Sequence, residues 1–286
     1  MTVAAMGALG QRVVTAALLV PLVLAAIFLL PSRWFAIALL PFAVVGADEW
    51  ARLGRFTSRG RLLFVAGTVA ITSVLLLADT FGFDRGWPDA IVFAICGTAT
   101  AFWVVVAPPW VVRRWSPPQP AAMALLGWIV LIGIWVALVQ LQAHSPWLAL
   151  AAMAVVWIAD TAAYFSGRRF GRHKLAPAVS PGKTWEGVAG AMAAVAVYAL
   201  ALTSLARAAG YGGSLGASAI VVWILFALAL CAISIVGDLF ESWLKRSAGV
   251  KDSGHLLPGH GGVLDRIDAL LAAMPPAALA AQAWLS

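Results

Sequence analysis

The sequence predicts an all-α, polytopic integral membrane protein of about nine transmembrane helices, with the N-terminus cytoplasmic and the C-terminus outside. Three observations carry that prediction. Of 286 residues, 63% are apolar and only 11% are charged. Apolar stretches of spanning length recur along the whole chain. They are rich in Ala, Leu and Val and do not alternate, and in lipid such a stretch satisfies its backbone within itself only as a helix.

Taken in order, the spans are 13–30, 34–50, 62–79, 88–107, 121–142, 146–167, 184–206, 217–241 and 263–285. The first follows Arg12 like the core of a signal peptide. Its apolar run is too long, however, and Pro31-Ser32-Arg33 follows it in place of a small-x-small cleavage site, so it reads as an uncleaved helix. Trp34, Trp50, Trp87, Trp110 and Trp147 lie near span ends, where indole rings anchor at the interface. Pro108-Pro109 and Pro117-Pro118 bracket Trp110 and Arg113-Arg114 as a stiff interfacial turn. Gly and Ala inside the spans suit close helix packing. Cys96 and Cys231 fall inside spans and read as small packing residues.

Orientation follows from the basic residues. Alternating from a cytoplasmic N-terminus puts all of the 19 Lys and Arg on the cytoplasmic side except Arg33, Arg85 and Arg207. The net charge of +7 is then a matter of topology and contact with anionic lipids, not of nucleic-acid binding. A multi-pass protein of the inner (cytoplasmic) membrane is expected. The chain reads as one transmembrane catalytic domain over 1–286, with the active-site half mainly in 147–286. Loops are short except 168–183 and 242–262, and no internal repeat of the kind used by transporters is visible.

Of the 12 acids, all but Asp79, Asp84 and Asp89 fall in the cytoplasmic half. Asp160 and Asp238 sit inside apolar runs, where an unpaired carboxylate costs roughly a few kcal/mol and calls for a cation. Asp238, Glu241, Ser242 and Lys245 are spaced i, i+3, i+4, i+7 and share one helical face. Asp265 and Asp268 repeat the i, i+3 spacing, just after Gly261-Gly262. Oxygen donors from two helices, without a zinc-like Cys or His pattern, favour Mg²⁺, whose shell is commonly completed by phosphate oxygens. Lys245, Arg246, Lys251 and Arg266 supply charge suited to phosphates. The bland alternative is a salt-bridge network at the membrane interface.

A second cluster is Ser180-Pro181-Gly182-Lys183-Thr184-Trp185-Glu186-Gly187. Gly-Lys-Thr evokes a P-loop, but Pro177 stands where the P-loop needs Gly, and no strand is expected ahead of it. Lys183 and Thr184 at a helix N-terminus still form a natural anion site. Ser180 or Thr184 serves equally well as a plain N-cap. Asp160 and Tyr164 are i, i+4 on the sixth span.

The pattern Ser242-x-Leu-Lys-Arg, then Lys251-Asp252-x-Gly, then Leu257-Pro258-x-His260-Gly-Gly-x-x-Asp265-Arg-Ile-Asp268 resembles the signature of phosphatidate cytidylyltransferases (CDP-diacylglycerol synthases). The runs Ser180-Pro-x-Lys-Thr-x-Glu-Gly and Asp160-Thr-x-x-Tyr164, and the pair Glu49-Trp50, are similar to that family as well. The resemblance implies the reaction CTP plus phosphatidate giving CDP-diacylglycerol plus pyrophosphate. It implies Mg²⁺, is compatible with a second cation such as K⁺, and is compatible with a homodimer. On this reading Asp238, Lys245 and Asp265 are catalytic, and Asp238, Asp265, Asp268 and Glu241 hold the metal. Asp160, Tyr164, Ser180, Lys183, Thr184, Glu186, Ser242, Arg246, Lys251, His260 and Arg266 bind substrate. Two other readings stay open: a CTP-dependent polyisoprenoid-alcohol kinase and a cation-coupled membrane transporter.

Overall fold

The computed structural model describes residues 8–78, 86–208, 216–256 and 261–285. The helices are α1 (Ala8–Leu29), α2 (Ser32–Leu53), α3 (Ser58–Ala78), α4 (Asp89–Ala101), α5 (Ala107–Arg113), α6 (Pro120–His144), α7 (Pro146–Phe170), α8 (Trp185–Ala208), α9 (Ala217–Ala248) and α10 (Leu264–Leu285). A π-helical turn, Phe102–Val106, joins α4 to α5. Counting α4, that turn and α5 as one rod gives nine rods among the described residues, matching the expected number of spans. Seven are long and apolar enough to cross a membrane, which marks a multi-pass membrane protein. In α1 the apolar part is the shorter stretch Ala17–Leu29. In α10, Asp265, Arg266, Asp268, Pro275, Pro276 and Gln282 interrupt the apolar run.

Three local features depart from the sequence expectation. The fourth span does not stop at Pro108-Pro109. Those prolines lack N–H groups and crowd the carbonyls one turn back, so the helix widens into the π turn and then continues to Arg113. Residues 174–183, expected to be loop, and Thr184, expected to start the seventh span, form an antiparallel hairpin of β1 (Lys174–Ala176) and β2 (Ser180–Thr184), with Lys174 opposite Thr184 and Ala176 opposite Ser180. Finally, the eighth span runs on to Ala248 and is 32 residues long. At the helical rise that is about 48 Å, well beyond the hydrocarbon thickness of a bilayer. Ser242, Lys245 and Arg246 therefore stand on rigid helix and not on a loop.

The core lies around α6, whose residues Val130–Ala137 are all buried. A helix apolar on every side belongs in the middle of a bundle. Beside it, α7 packs along α8, α9 along α10, and α10 against α6. Phe240 on α9 is ringed by Phe102, Trp103, Trp110 and Trp243 at centroid distances of 5.4–5.8 Å, with Trp50 stacked at 6.5 Å. That cluster fixes the rotation of α9 against α2 and α5. Gly237 brings α9 onto α10, since a Cβ there would stand 2.6 Å from the Asp268 carbonyl oxygen. At the far end of α6 and α10, Gln140 donates to Gln282 (2.7 Å) and Gln282 to Asp89 (2.7 Å), while Gln140 accepts from the Trp87 backbone N–H (2.8 Å). These bonds satisfy polar groups that would otherwise be stranded in the bundle.

Candidate active site

Two lysines organise the acids. The helical repeat puts Asp238, Glu241, Ser242 and Lys245 on one face of α9, and Ser242 Oγ donates to Asp238 Oδ1 at 3.3 Å. Lys245 Nζ lies 2.5 Å from Glu241 Oε2 and 2.6 Å from Asp265 Oδ1. All three side chains are nearly enclosed, Lys245 at 14% exposure, Glu241 at 4% and Asp265 at 3%. Lys183, near the end of β2, reaches Asp238 Oδ2 at 2.6 Å. Asp160 on α7 is exposed at the edge of this group, within electrostatic reach of Asp238 and Lys183. Asp268 is within reach of Asp238, Glu241 and Asp160.

Asp265 is the most tightly held of these acids. Its Oδ2 accepts from Ser253 N (2.9 Å), Ser253 Oγ (3.0 Å) and Gly262 N (2.8 Å). Gly261 takes φ +81°, and a Cβ at that position would stand 2.7 Å from Asp265 Oδ2. Only glycine enters that conformation at little cost. Behind the loop lies the buried carboxylate of Glu49 on α2. It accepts from Val263 N (2.9 Å), Leu264 N (2.8 Å) and Ser253 Oγ (2.9 Å).

Charge balance tests the fit of a metal. Asp160, Asp238, Glu241, Asp265 and Asp268 face two paired ammonium groups. Glu241 Oε1 is buried without a hydrogen-bond partner among the described residues. Hard oxygen donors, with five carboxyl groups against two ammonium groups, suit a divalent cation such as Mg²⁺. As the side chains stand, no three candidate ligands among the described residues are grouped to hold one ion.

The remaining expected substrate residues divide. Thr184 is buried and its Oγ1 accepts from Gly187 N at 3.1 Å, which makes it the N-cap of α8. Ser180 pairs within the hairpin. Glu186 takes both the backbone N–H and the ring of His173 (Nδ1 at 2.7 Å), closing the base of the hairpin. Tyr164 is exposed, and its hydroxyl accepts from Arg168 at 3.1 Å. Arg246 Nε donates to Val179 O at 3.4 Å, tying the hairpin turn to α9. Lys251 and Arg266 are exposed. His260 lies outside the described residues. Glu49 stands out in the sequence only beside Trp50, and Ser253 not at all, because its partners come from distant parts of the chain.

Comparison with known proteins gives a consistent result. The model of a cytidylyltransferase family matches residues 10–284. The phosphatidate cytidylyltransferase of Haemophilus influenzae is 37% identical over 283 residues, covering 93% of this chain and 96% of that protein. That of Pseudomonas aeruginosa is 41% identical over 270 residues, covering 93% and 94%. That of Brucella suis is 40% identical over 230 residues, covering 79% and 76%.

Proposed function

The chain belongs to the cytidylyltransferase family, and on that premise we propose that it transfers a cytidylyl group from CTP to phosphatidate, releasing pyrophosphate and forming CDP-diacylglycerol. The observation that carries the reading to particular residues is the Lys245 ammonium bridging Glu241 and Asp265, with Lys183 on Asp238 beside it. Acids and bases from α9, α10 and β2 converge there, at the foot of the segment that resembles the signature.

The phosphate of phosphatidate attacks the α-phosphorus of CTP. The bond to the β-phosphate oxygen breaks and pyrophosphate leaves. The attacking oxygen is already ionised near neutral pH, so no side chain need remove a proton. The obstacle is repulsion between two polyanions, and the protein's task is positioning and neutralisation. We assign Lys183, Lys245 and Arg246 to the phosphates, with the exposed Lys251 and Arg266 beside them. Asp238, Glu241, Asp265 and Asp268 are the acids we assign to Mg²⁺, which they would hold once the Lys183 and Lys245 ion pairs give way, with a second cation such as K⁺ compatible with the number of acids. Bound there, the metal supplies neutralising charge to the triphosphate.

The positive-inside pattern supports a cytoplasmic placement of this site in the inner membrane, with CTP arriving from the cytosol and the acyl chains staying in the bilayer. It also supports α1 and α10 as spans, which makes nine, and the packing of α10 on α2, α4, α6, α7 and α9 supports reading the whole chain as one catalytic domain. The deciding experiment incubates purified protein in micelles with CTP, phosphatidate and Mg²⁺. Lipid-dependent pyrophosphate release with labelled cytidine in the lipid is expected. Label entering the lipid only from the γ-phosphate would point to a kinase. Cation flux in liposomes without CTP consumption would point to a transporter.

A further inference from the structure

We infer that Glu49 and Ser253 are positioning residues that set the orientation of the Asp265 carboxylate, through a relay from α2 to the start of α10. The inference rests on the reading above, in which Asp265 belongs to the reacting centre.

The relay can be followed bond by bond. Glu49 is 3% exposed, and the hydrogen bonds described for its carboxylate go to Ser253, Val263 and Leu264, not to a group assigned to substrate. Its two oxygens take the N–H groups of Val263 and Leu264, which open α10 and have no partner within the helix. A carboxylate here also faces the positive end of the helix dipole. The same carboxylate accepts from Ser253 Oγ, and Ser253 in turn meets Asp265 Oδ2 through both its hydroxyl and its backbone N–H. A hydroxyl carries one proton, so Ser253 Oγ can donate to Glu49 or to Asp265 but not to both at once. The two carboxylates are thereby coupled through a single hydrogen.

The mount beneath Glu49 is rigid. Trp50, the next residue, is buried and donates its indole N–H to Met123 O on α6 at 2.9 Å. Gly46, one turn earlier, brings α2 close to Leu264, the first residue of α10. The facing loop has been cleared for the carboxylate, since a Cβ at Gly254 or Gly262 would collide with it. A buried carboxylate with two backbone donors, a shared hydroxyl and two glycines shaped around it is more than a helix cap. It fixes Ser253 and Gly262, whose N–H groups hold Asp265.

The test uses the full-length protein in micelles. Glu49→Gln keeps the shape but turns an amide N–H₂ toward one of the α10 N–H groups. Expected is a kcat lower by about tenfold, with KM for CTP and for phosphatidate changed less than about threefold, at a thermal midpoint within a few degrees of wild type. A purely structural role would lower the midpoint and leave kcat per folded molecule unchanged. Turnover within about twofold of wild type would overturn the inference. If Glu49→Gln does not fold, Ser253→Ala decides, because it removes only the shared hydroxyl. Its kcat should fall by about threefold or more, and an unchanged kcat would overturn the inference equally. Asp265→Asn is measured alongside. Full activity in Asp265→Asn would defeat the site reading itself. An inactive Asp265→Asn beside fully active Glu49→Gln and Ser253→Ala would defeat the relay alone.

Discussion

Lys245 on α9 and Asp265 on α10 meet at 2.6 Å, and the same ammonium lies 2.5 Å from Glu241. One cation thus neutralises acids from two helices whose backbones Gly237 has already drawn together. Because the pair is almost wholly enclosed, water screens it poorly, and the loss of either partner strands a charge in the bundle.

Lys245→Ala is expected to damage both stability and activity. Removing the ammonium leaves Glu241 and Asp265 uncompensated, a loss of about 3–5 kcal/mol for a buried pair. Turnover of CTP should fall by about tenfold or more in the fraction that stays folded. Thermal unfolding of the purified variant together with pyrophosphate release checks both. A wild-type rate would demote Lys245 to a charge that sets topology.

Lys183→Ala separates the hairpin from the helices. Lys183 on Asp238 and Arg246 on Val179 O are the polar ties described between β2 with its turn and α9. Without the first, limited proteolysis should cut within 172–184 faster than in wild type. The kcat/KM for CTP should drop by about tenfold, because a phosphate-binding ammonium is lost as well. Unchanged cleavage and unchanged kcat/KM would mean that Lys183 neither latches the hairpin nor meets substrate.

Much of this site could be read from the residues alone, and the limits have physical causes. The face formed by Asp238, Glu241, Ser242 and Lys245 follows from helical periodicity, so spacing was sufficient to place it. The pairing of Lys183 with Asp238 depends on residues 174–184 folding as a hairpin. Those residues show no alternation of apolar and polar side chains that would mark a strand. Thr184 reads from sequence as anion site or cap, and its bond to Gly187 N shows that it caps α8, with its part in substrate binding still a proposal. Glu49 contacts Val263 and Leu264 across more than two hundred residues, a relation no local pattern encodes. The continuation of the fourth span through Pro108-Pro109 is invisible in the sequence because a π turn relieves what the prolines would otherwise break.

Gly262→Ala probes the packing of the loop without altering any charge. Its methyl group would press on Ser253 Oγ and the Glu49 carboxylate. Loop displacement should pull the Gly262 N–H away from Asp265 Oδ2 and lower kcat by about tenfold. Gly97→Ala is the matched control, since a Cβ at that helical position meets nothing within 4 Å. There the added methyl should leave turnover unchanged and slightly favour the helix. Equal kcat in the two variants would show that the tight fit around Glu49 does not reach the reaction.

Metal dependence supplies the last prediction, and it follows from charge balance alone. Five acids converge against two ammonium groups, and Glu241 Oε1 has no hydrogen-bond partner among the described residues. A divalent cation would relieve that excess, so Mg²⁺ should raise the thermal midpoint of the substrate-free protein, because a ligand that binds only the folded state stabilises it by mass action. Asp238→Asn and Asp268→Asn, which each replace a carboxyl ligand by an amide, should shrink that Mg²⁺-induced rise. Chelation by EDTA should abolish pyrophosphate release, and added Mg²⁺ should restore it. A midpoint insensitive to Mg²⁺ in wild type, together with turnover that survives EDTA, would leave the acids as counter-ions for Lys183 and Lys245 and nothing more.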